Sequence, residues 1–425
     1  MARTGTDGPA GRSWPAAVAL GLILLAGAYA LALGWPMLFG PCPCRDPDGR
    51  LALVVATSHD LWVAVEAARY VANGALGFVY ESTPTLTALP LYPILLAPLV
   101  AAGDALGLSG PPAPAATMYL LLAPFTVGLA VPLLHQVGGL LRDAGDRASA
   151  LPVQVWTALL AVVPVLVVYG HGEDALALLG VVAAVRLAAR GRFPAAGAAL
   201  GIAIASKQWA VAALPALVAW SPPRERPRLA AAGLALPAAL ALFVLGVDWP
   251  HASRALLHPP NYPEFGHAAP WVDAGLPTVA TAPFRLAALA VAVLLAGRAR
   301  GASWSRLLAT LGLALLARCA FEPVLHVYYL APGLCLLLAH ERVATGRCRR
   351  TAVAGGLLVG WFAVHPAPGL WWAVAALLGA AVAYRAAVET FSGTASGTTA
   401  GTAAAGRGPV PVRAASETRA TGSHQ

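Results

Sequence analysis

The chain has 425 residues, of which 58% are hydrophobic and only 11% are charged, and its formal net charge is +9. Soluble globular domains carry about 25% charged residues, so this composition excludes an ordinary soluble domain. The basic residues lie in short segments between apolar runs, many of them near the ~20 residues that cross a bilayer. The pattern predicts an all-α polytopic membrane protein rather than a nucleic-acid-binding protein.

The five cysteines predict neither a disulfide framework nor a metal centre. Cys42 and Cys44 flank a single proline, and residues that close in sequence rarely reach disulfide geometry. Cys319, Cys335 and Cys348 lie in or beside apolar runs and are expected to be packing residues.

Arginine placement predicts the topology. Arg3 and Arg12 precede the first apolar run, 14–39, which is expected to stay uncleaved and to end outside. Clusters predicted to lie in the cytoplasm are Arg186/Arg190/Arg192, Arg224/Arg226/Arg228, Arg298/Arg300/Arg306 and Arg342/Arg347/Arg349/Arg350. Further spans are expected at 115–141, 151–168, 174–189, 229–247, 277–297, 305–322, 327–340, 351–365 and 370–385.

Residues 40–114 then form the first extracytoplasmic loop, with juxtamembrane helices. Its apolar segment 88–103 is expected to enter the outer leaflet without crossing, because a helix of that length spans only about 24 Å. In the alternative topology 88–103 crosses and 170–174 lies inside, which would place three arginines outside. The preferred topology gives one domain, 1–385, with about 11–12 transmembrane helices, and a disordered cytoplasmic tail, 386–425.

The stretch 57–99 carries the candidate catalytic acid. Asp60 opens an amphipathic run that passes through a Gly/Ser/Thr/Pro-rich loop to Tyr92-Pro93. We expect Asp60 to lie at the outer membrane face as a general base. The alternative is a helix cap, since Ser58 and Asp60 are both good N-cap residues.

Residues 195–220 predict two short helices that meet at Lys207. Arginine clusters flank both ends, so an even number of crossings lies between them, yet each half spans only about 18 Å. The apex would face a cavity at membrane depth, where an ionisable residue is a functional candidate. The alternative is one ordinary span from which Lys207 extends to the interface.

The segment 315–332 combines charge with aromatic residues. Arg318 and Glu322 share a helix face at i,i+4, and Pro323 is expected to end that helix. His326 and Tyr328 follow at the outer membrane level. A structural ion pair with an aromatic belt is the alternative to a functional role.

The loop 248–275 contains three histidines and several aromatic residues. The spacing of His251, His258 and His267 matches no metal-site template, so an interfacial loop with aromatic anchors is favoured over a zinc site. A sugar-contacting role for Trp249, Tyr262 or Trp271 has no specific support.

These features fit sugar transfer from a lipid-phosphate donor. A carboxylate can activate the acceptor hydroxyl, and cations can stabilise the phosphate leaving group. A single displacement inverts the anomeric centre and requires no metal ion or other cofactor. The candidate cations are Lys207, Arg318 and His326, and the acids Glu173 and Asp174 are expected to orient a sugar hydroxyl or a cationic side chain.

The order of features resembles the GT-C fold of polyprenol-phosphate-dependent glycosyltransferases, and in particular the actinobacterial α-(1→2)-mannosyltransferase family. The resemblance rests on HDLWVAVEAARYVANGALGFVYES with LPLYPILLAPL, on GHGED through ASKQWA, and on HVYYLAPGL, about a third of the chain. It implies that Asp60 is the base and that Lys207 and His326 hold the donor phosphate. The segment Tyr92-Pro93-Ile94 departs from the family's tyrosine-proline-proline.

The residues predict an inverting plasma-membrane glycosyltransferase with an extracytoplasmic site, a polyprenyl-phosphate donor and a lipid or glycan acceptor, and the resemblance implies that the sugar is mannose. Residues expected to bind or orient the sugar or acceptor are His59, Tyr92, His171, Glu173, Asp174, Glu322 and Tyr328. A polyprenyl-phosphate arabinose donor remains open. Two other classes also remain open: a lipid-linked-sugar transporter or flippase, and a non-catalytic subunit of an envelope assembly complex.

Overall fold

The computed structural model describes residues 13–39, 59–83, 88–108, 124–146, 148–168, 170–257, 267–268, 281–322 and 324–364, with a few isolated positions besides. This part of the chain is helical, apart from two-residue strands β1 (His267–Ala268) and β2 (Val324–Leu325), which pair antiparallel. The prediction of an all-α fold is confirmed at this level. The predicted tail and the CPC segment lie outside the described residues.

The helices follow the apolar runs of the sequence. In chain order they are α1 (Ser13–Phe39), α2 (His59–Ala72), α3 (Val79–Ser82), α4 (Leu91–Ala105), α5 (Ala130–Asp143), α6 (Leu151–Thr157, continuing in wider π-type turns over Ala158–Val168), α7 (Gly172–Ala189), α8 (Phe193–Ser206), α9 (Leu214–Trp220), α10 (Arg226–Val247), α11 (Trp249–Leu257), α12 (Thr281–Ala296), α13 (Trp304–Cys319), α14 (Ala331–Thr345) and α15 (Arg349–Val364). Short 3₁₀ turns occupy Leu76–Phe78, Gln208–Ala213, Gly297–Ala299 and Val327–Leu330.

Two helical stretches of the described chain are long and apolar enough to cross a membrane, Pro124–Asp143 and Arg226–Val247. Shorter apolar helices are Trp14–Gly27, Leu91–Ala105, Leu151–Val167, Phe193–Ser206 and Gln208–Trp220. Only 17% of the most apolar window of Arg226–Val247 is buried, so its side chains mostly face outward. The expected total of 11–12 transmembrane helices stays a prediction.

The predicted break at Lys207 is confirmed. Helix α8 ends at Ser206, and Lys207 is extended, with φ −151° and ψ 123°. A 3₁₀ segment, Gln208–Ala213, then leads into α9, which has a proline in its first turn. That proline suits a new helix start, because its fixed φ is already helical and its missing N–H is not needed there.

Helix α8 before the break and the segment 208–220 after it are the two limbs of this break, and both pack against the first part of α10. Gly197 lies against the carbonyl of Leu229, and Gly201 lies against Ala232 and Gly233 four residues further on, so α8 runs parallel to α10. On the returning limb, Leu214 contacts Gly233, and the Arg226 guanidinium donates to the carbonyls of Ala219 and Ser221. Lys207 is ten residues past Gly197, so at a rise of 1.5 Å per residue it lies about 20 Å along α10, a little beyond its midpoint.

The four arginine clusters lie at one end of the molecule. The Arg186 Nε atom donates to Asp143 at 2.9 Å, and Arg342 Nε donates to Asp146 at 2.6 Å. At the same end, Trp220 Nε1 donates to the carbonyl of Ala302 at 3.0 Å and so joins the loops after α9 and α12. Since Gly197 lies level with Leu229, the Arg192 and Arg226 segments also share this end.

Two differences from the sequence-based expectations lie near the cavity and α2. Helix α13 ends at Cys319 rather than at 322, because the backbone already turns there, with Phe321 N–H donating to Arg318 O. The expected loop 248–275 begins with helix α11. Its Ala252, Ala255 and Leu256 are spaced i, i+3, i+4 and are buried against α2, α3 and the end of α10.

Candidate functional site

A buried cluster of opposite charges surrounds the start of α7. The Lys207 ammonium lies 3.1 Å from Glu173 Oε1 and 3.3 Å from Asp174 Oδ2. His171 Nδ1 lies 2.9 Å from the same Glu173 oxygen. The exposed fraction of these four side chains is between 3% and 14%. The break after Ser206 makes this possible, because it turns Lys207 out of the helix toward the acids.

The cluster is held by aromatic neighbours. Trp209 Nε1 donates to Asp174 Oδ1 at 2.6 Å, and the His171 ring centroid lies 4.1 Å from that of Tyr328. Tyr92 is buried against Gly172, where any side chain would overlap its phenol ring. Glycine is required at position 172 for a steric reason, since only a hydrogen atom fits beneath the Tyr92 ring.

His171, Glu173 and Asp174 also have the donor types and spacing of a metal site, with ligand atoms within 4.8 Å of one another. The Lys207 ammonium, however, already stands against both carboxylates. A metal ion bound to these two acids would have to displace that cation. The arrangement therefore fits an ion-pair cluster better than a metal centre.

Arg318 and Glu322 are in contact, as their i,i+4 spacing predicted, and they form the ion pair that was the alternative to a functional role. Arg318 donates to Glu322 Oε1 from Nε at 2.9 Å and from Nη2 at 2.8 Å, and its guanidinium carbon lies 4.7 Å from the centre of the Tyr329 ring. His326 stacks on Tyr328, with ring centroids 5.4 Å apart, and meets Tyr329 edge-on at 5.3 Å. These aromatic rings connect the His171 cluster to the Arg318 pair.

A cavity of about 160 Å³ lies beside both ion pairs. Cations enter its wall from three elements: Lys207, Arg318 and Arg285. The other lining residues are Gln208, Trp209, Val211, Ala212, Ala288, Leu289, Phe321, Glu322 and Tyr329. Such a wall, apolar and aromatic with a few charged groups, is typical of a small-molecule site.

The backbone places the start of α2 at the same end as Tyr92. Arg69, near the end of α2, donates from Nε and Nη2 to the Asp104 carboxylate near the end of α4 at 2.9 and 3.1 Å, so the two helices run parallel. Nine residues before that contact on each helix, Asp60 is then level with Leu95, within one turn of Tyr92. The side chains of His59 and Asp60 lie outside the described residues.

Two polar groups fix the α2–α4 unit. The hydrogen bond to Asp104 raises the pKa of Arg69 above its usual value, so this guanidinium stays protonated at all physiological pH values. The Tyr80 hydroxyl donates to the carbonyl of Ala88 at 2.7 Å, and burial raises the pKa of this phenol. Tyr80 thereby holds the segment that leads into α4 and Tyr92.

The structure brings together most of the predicted site residues: Tyr92, His171, Glu173, Asp174, Lys207, Arg318, Glu322, His326 and Tyr328. Lys207, Arg318 and His326 were expected to hold a phosphate, and this stays a prediction. Lys207 and Arg318 are each paired with carboxylates, and for Lys207 these are the acids expected to orient a cationic side chain. Sequence analysis missed Trp209 and Tyr329, whose roles depend on tertiary contacts. It also missed Arg285, a charge inside the apolar run 277–297 that the cost of intramembrane charges could have revealed.

No protein-family model matches this chain, and comparison with curated proteins and with solved structures finds no match.

Proposed function

We propose that this chain is a polytopic membrane glycosyltransferase with a GT-C-like architecture, which transfers mannose from a polyprenyl-phosphate donor to a cell-envelope acceptor. The observation that carries the proposal is the cavity beside the Lys207 cluster. It combines cations, a carboxylate and aromatic side chains in one small volume. These are the groups that a phosphate-linked sugar requires.

The membrane location is supported by the distribution of charge and apolar surface. The arginine clusters share one end of the molecule, as cytoplasmic loops under the positive-inside rule would. Between the ends, α10 exposes large apolar side chains, with Leu242 73% and Phe243 47% exposed. Lys207 and its partners lie about 20 Å from the arginine-rich end, within the depth of a bilayer about 30 Å thick.

In the proposed reaction, Asp60 takes the proton from the acceptor hydroxyl, and the acceptor oxygen attacks the anomeric carbon. The bond from that carbon to the phosphate oxygen breaks, and the electron pair leaves on polyprenyl phosphate. The cavity cations stabilise the phosphate. The Glu173 and Asp174 carboxylates hold Lys207 at the edge of the cavity. Because the acceptor attacks once, from the face opposite to the leaving phosphate, the anomeric centre is inverted.

A transporter of lipid-linked sugar is the second candidate. Broken helices with a charge near the membrane midplane are a common feature of transporters, and the α8–Lys207–α9 break has that form. The two candidates differ in whether the donor is chemically changed.

The experiment that tests the proposal uses purified full-length protein in proteoliposomes with polyprenyl-phosphate mannose and an envelope lipid extract. A glycosyltransferase releases polyprenyl phosphate and labels an acceptor in equal amounts. Movement of intact donor across the bilayer without its conversion would contradict the proposal and support the transporter. Vesicles without protein give the background for both readings.

A further inference from the structure

The three cations of the cavity are not equivalent. Lys207 lies within 3.3 Å of two carboxylates, and Arg318 donates twice to the Glu322 carboxylate. Among the described residues, the hydrogen bond that Arg285 makes goes to a neutral acceptor, the carbonyl of Leu256 at 3.0 Å. Of the three cavity cations, Arg285 on α12 is therefore the one whose charge the described carboxylates compensate least.

Arg285 lies on the face of α12 that lines the cavity. Arg285, Ala288 and Leu289 line the cavity with the i, i+3, i+4 spacing of a single helix face. The neighbouring face of α12 is apolar and points outward, where Leu286 is 68%, Val293 55% and Leu294 77% exposed. One helix thus carries both a cavity cation and an outer apolar surface.

We infer that Arg285 is the anion-recruiting residue of the cavity, and that its ligand is an alkyl phosphate whose chain leaves along the outer face of α12. An arginine fork matches the geometry of phosphate oxygens, and the only competing acceptor that the described residues show is one carbonyl. Lys207 and Arg318 then shape the cavity as neutralised pairs. The inference rests on the proposed function for the identity of the phosphate, and it moves the phosphate contact from Lys207 and Arg318 to Arg285.

The hydrogen bond from Arg285 to the Leu256 carbonyl also links the cavity to helix α11. The Leu256 carbonyl belongs to the last turn of α11, where backbone acceptors lack helical partners. A phosphate bound through Nη1 would leave this carbonyl to water, and faster amide hydrogen exchange over 249–257 would report that binding mode. A phosphate bound through Nε and Nη2 would keep the Leu256 contact and leave that exchange unchanged.

Equilibrium binding of farnesyl phosphate to the purified full chain in detergent, measured by native mass spectrometry, tests the inference. Farnesol and inorganic phosphate serve as the two half-ligands. We expect tight binding only for farnesyl phosphate, weakened about 10- to 100-fold by Arg285→Gln, the loss expected for charge-assisted hydrogen bonds. Equal binding of inorganic phosphate would overturn the alkyl part of the inference.

Two further variants guard against a folding artefact. Arg285→Lys keeps the charge but not the fork, so we expect binding between that of the wild type and that of Arg285→Gln. Arg298→Gln removes an exposed arginine of the same chain segment and should bind like the wild type. Wild-type affinity in both Arg285 variants would overturn the inference.

The inference and the proposed function can fail separately, because farnesyl phosphate carries no sugar and its binding needs no turnover. Sugar transfer by the wild type, with unchanged donor KM in Arg285→Gln, would overturn the inference alone. Arg285-dependent binding without any sugar transfer would support the inference and contradict the proposed function.

Discussion

At the scale of single residues, Lys207 is the most informative side chain, because it is a buried charge surrounded by other buried charges. Lys207 lies outside any helix, is only 14% exposed and forms ion pairs with two carboxylates. One of these carboxylates, that of Glu173, also contacts His171. Burying so many charges is costly, and it is tolerated only where each group has partners. Such a cluster needs a reason beyond stability, and a fixed cation at the edge of a cavity provides one.

Replacing Lys207 by methionine should destabilise the protein by about 3–5 kcal/mol, because it leaves two buried carboxylates without their cation. The measurement is thermal or denaturant unfolding of the purified protein in detergent. Adding Glu173→Gln to Lys207→Met should recover part of the loss, since it removes one of the unpaired charges. Stability equal to wild type in Lys207→Met would show that the cluster is not a coupled unit.

Trp209→Phe keeps an aromatic ring at its position and removes only the donor to Asp174. We expect a loss of about 1.5–3 kcal/mol in unfolding free energy, the usual contribution of a hydrogen bond to a charged group. Trp220→Phe, which removes a hydrogen bond to the neutral carbonyl of Ala302, is the matched control and should lose less. An equal loss in both variants would contradict a special role for the 2.6 Å contact.

At the scale of elements, the break between α8 and α9 organises the site, and glycines allow its close packing. A side chain at Gly197 would overlap the Leu229 carbonyl, and one at Gly201 would lie 3.1 Å from two carbonyls of α10. Small residues at such positions let helix backbones approach closely, as in membrane helix pairs. The limbs are thereby held against α10, with Lys207 at their apex.

Gly197→Ala should lower the unfolding free energy by about 1–3 kcal/mol, because the added methyl group must push α8 away from α10. Gly246→Ala on α10, where the new methyl group meets no atom within 4 Å, should be neutral or stabilising by up to about 1 kcal/mol. Thermal unfolding of the two variants gives the comparison. If Gly246→Ala were the more damaging change, the packing account would be wrong.

The same element shows what sequence analysis can and cannot reach. The break at Lys207 was predictable, because arginines at both ends and a short apolar length leave few other arrangements. The helix α11 was not predicted, because the prolines and histidines of 248–275 obscured the short apolar pattern of Ala252, Ala255 and Leu256. The carboxylate partners of Lys207 depend on how α7 meets α8, which spacing alone does not fix.

At the scale of the whole molecule, the described residues carry two separate groups of charged side chains. The arginine clusters and their acidic partners lie at one end, and the start of α7 with its acid cluster lies toward the other. This separation is the pattern expected of cytoplasmic loops under the positive-inside rule. It also gives the molecule a predicted orientation, with the arginine end in the cytoplasm.

Single cysteines in a cysteine-free background test that orientation with a membrane-impermeant thiol reagent on whole cells. Arg192→Cys and Arg300→Cys should react only after the cells are opened. Leu106→Cys, at a position where the side chain is 70% exposed, should react from outside, because 40–114 is predicted to be extracytoplasmic. Cytoplasmic labelling at Leu106 would mean that 88–103 crosses the membrane and would overturn the preferred topology.

The central claim is sugar transfer with Asp60 as the base, and mannosyl transfer from polyprenyl-phosphate mannose in proteoliposomes tests it most directly. We expect turnover by the wild type, a loss of at least about 100-fold in Asp60→Asn, in line with general base catalysis, and unchanged donor binding. Glu66→Gln removes another acid of α2, one that contacts Arg69, and should keep near-wild-type turnover. Full turnover in Asp60→Asn would reduce Asp60 to a helix cap and contradict the mechanism.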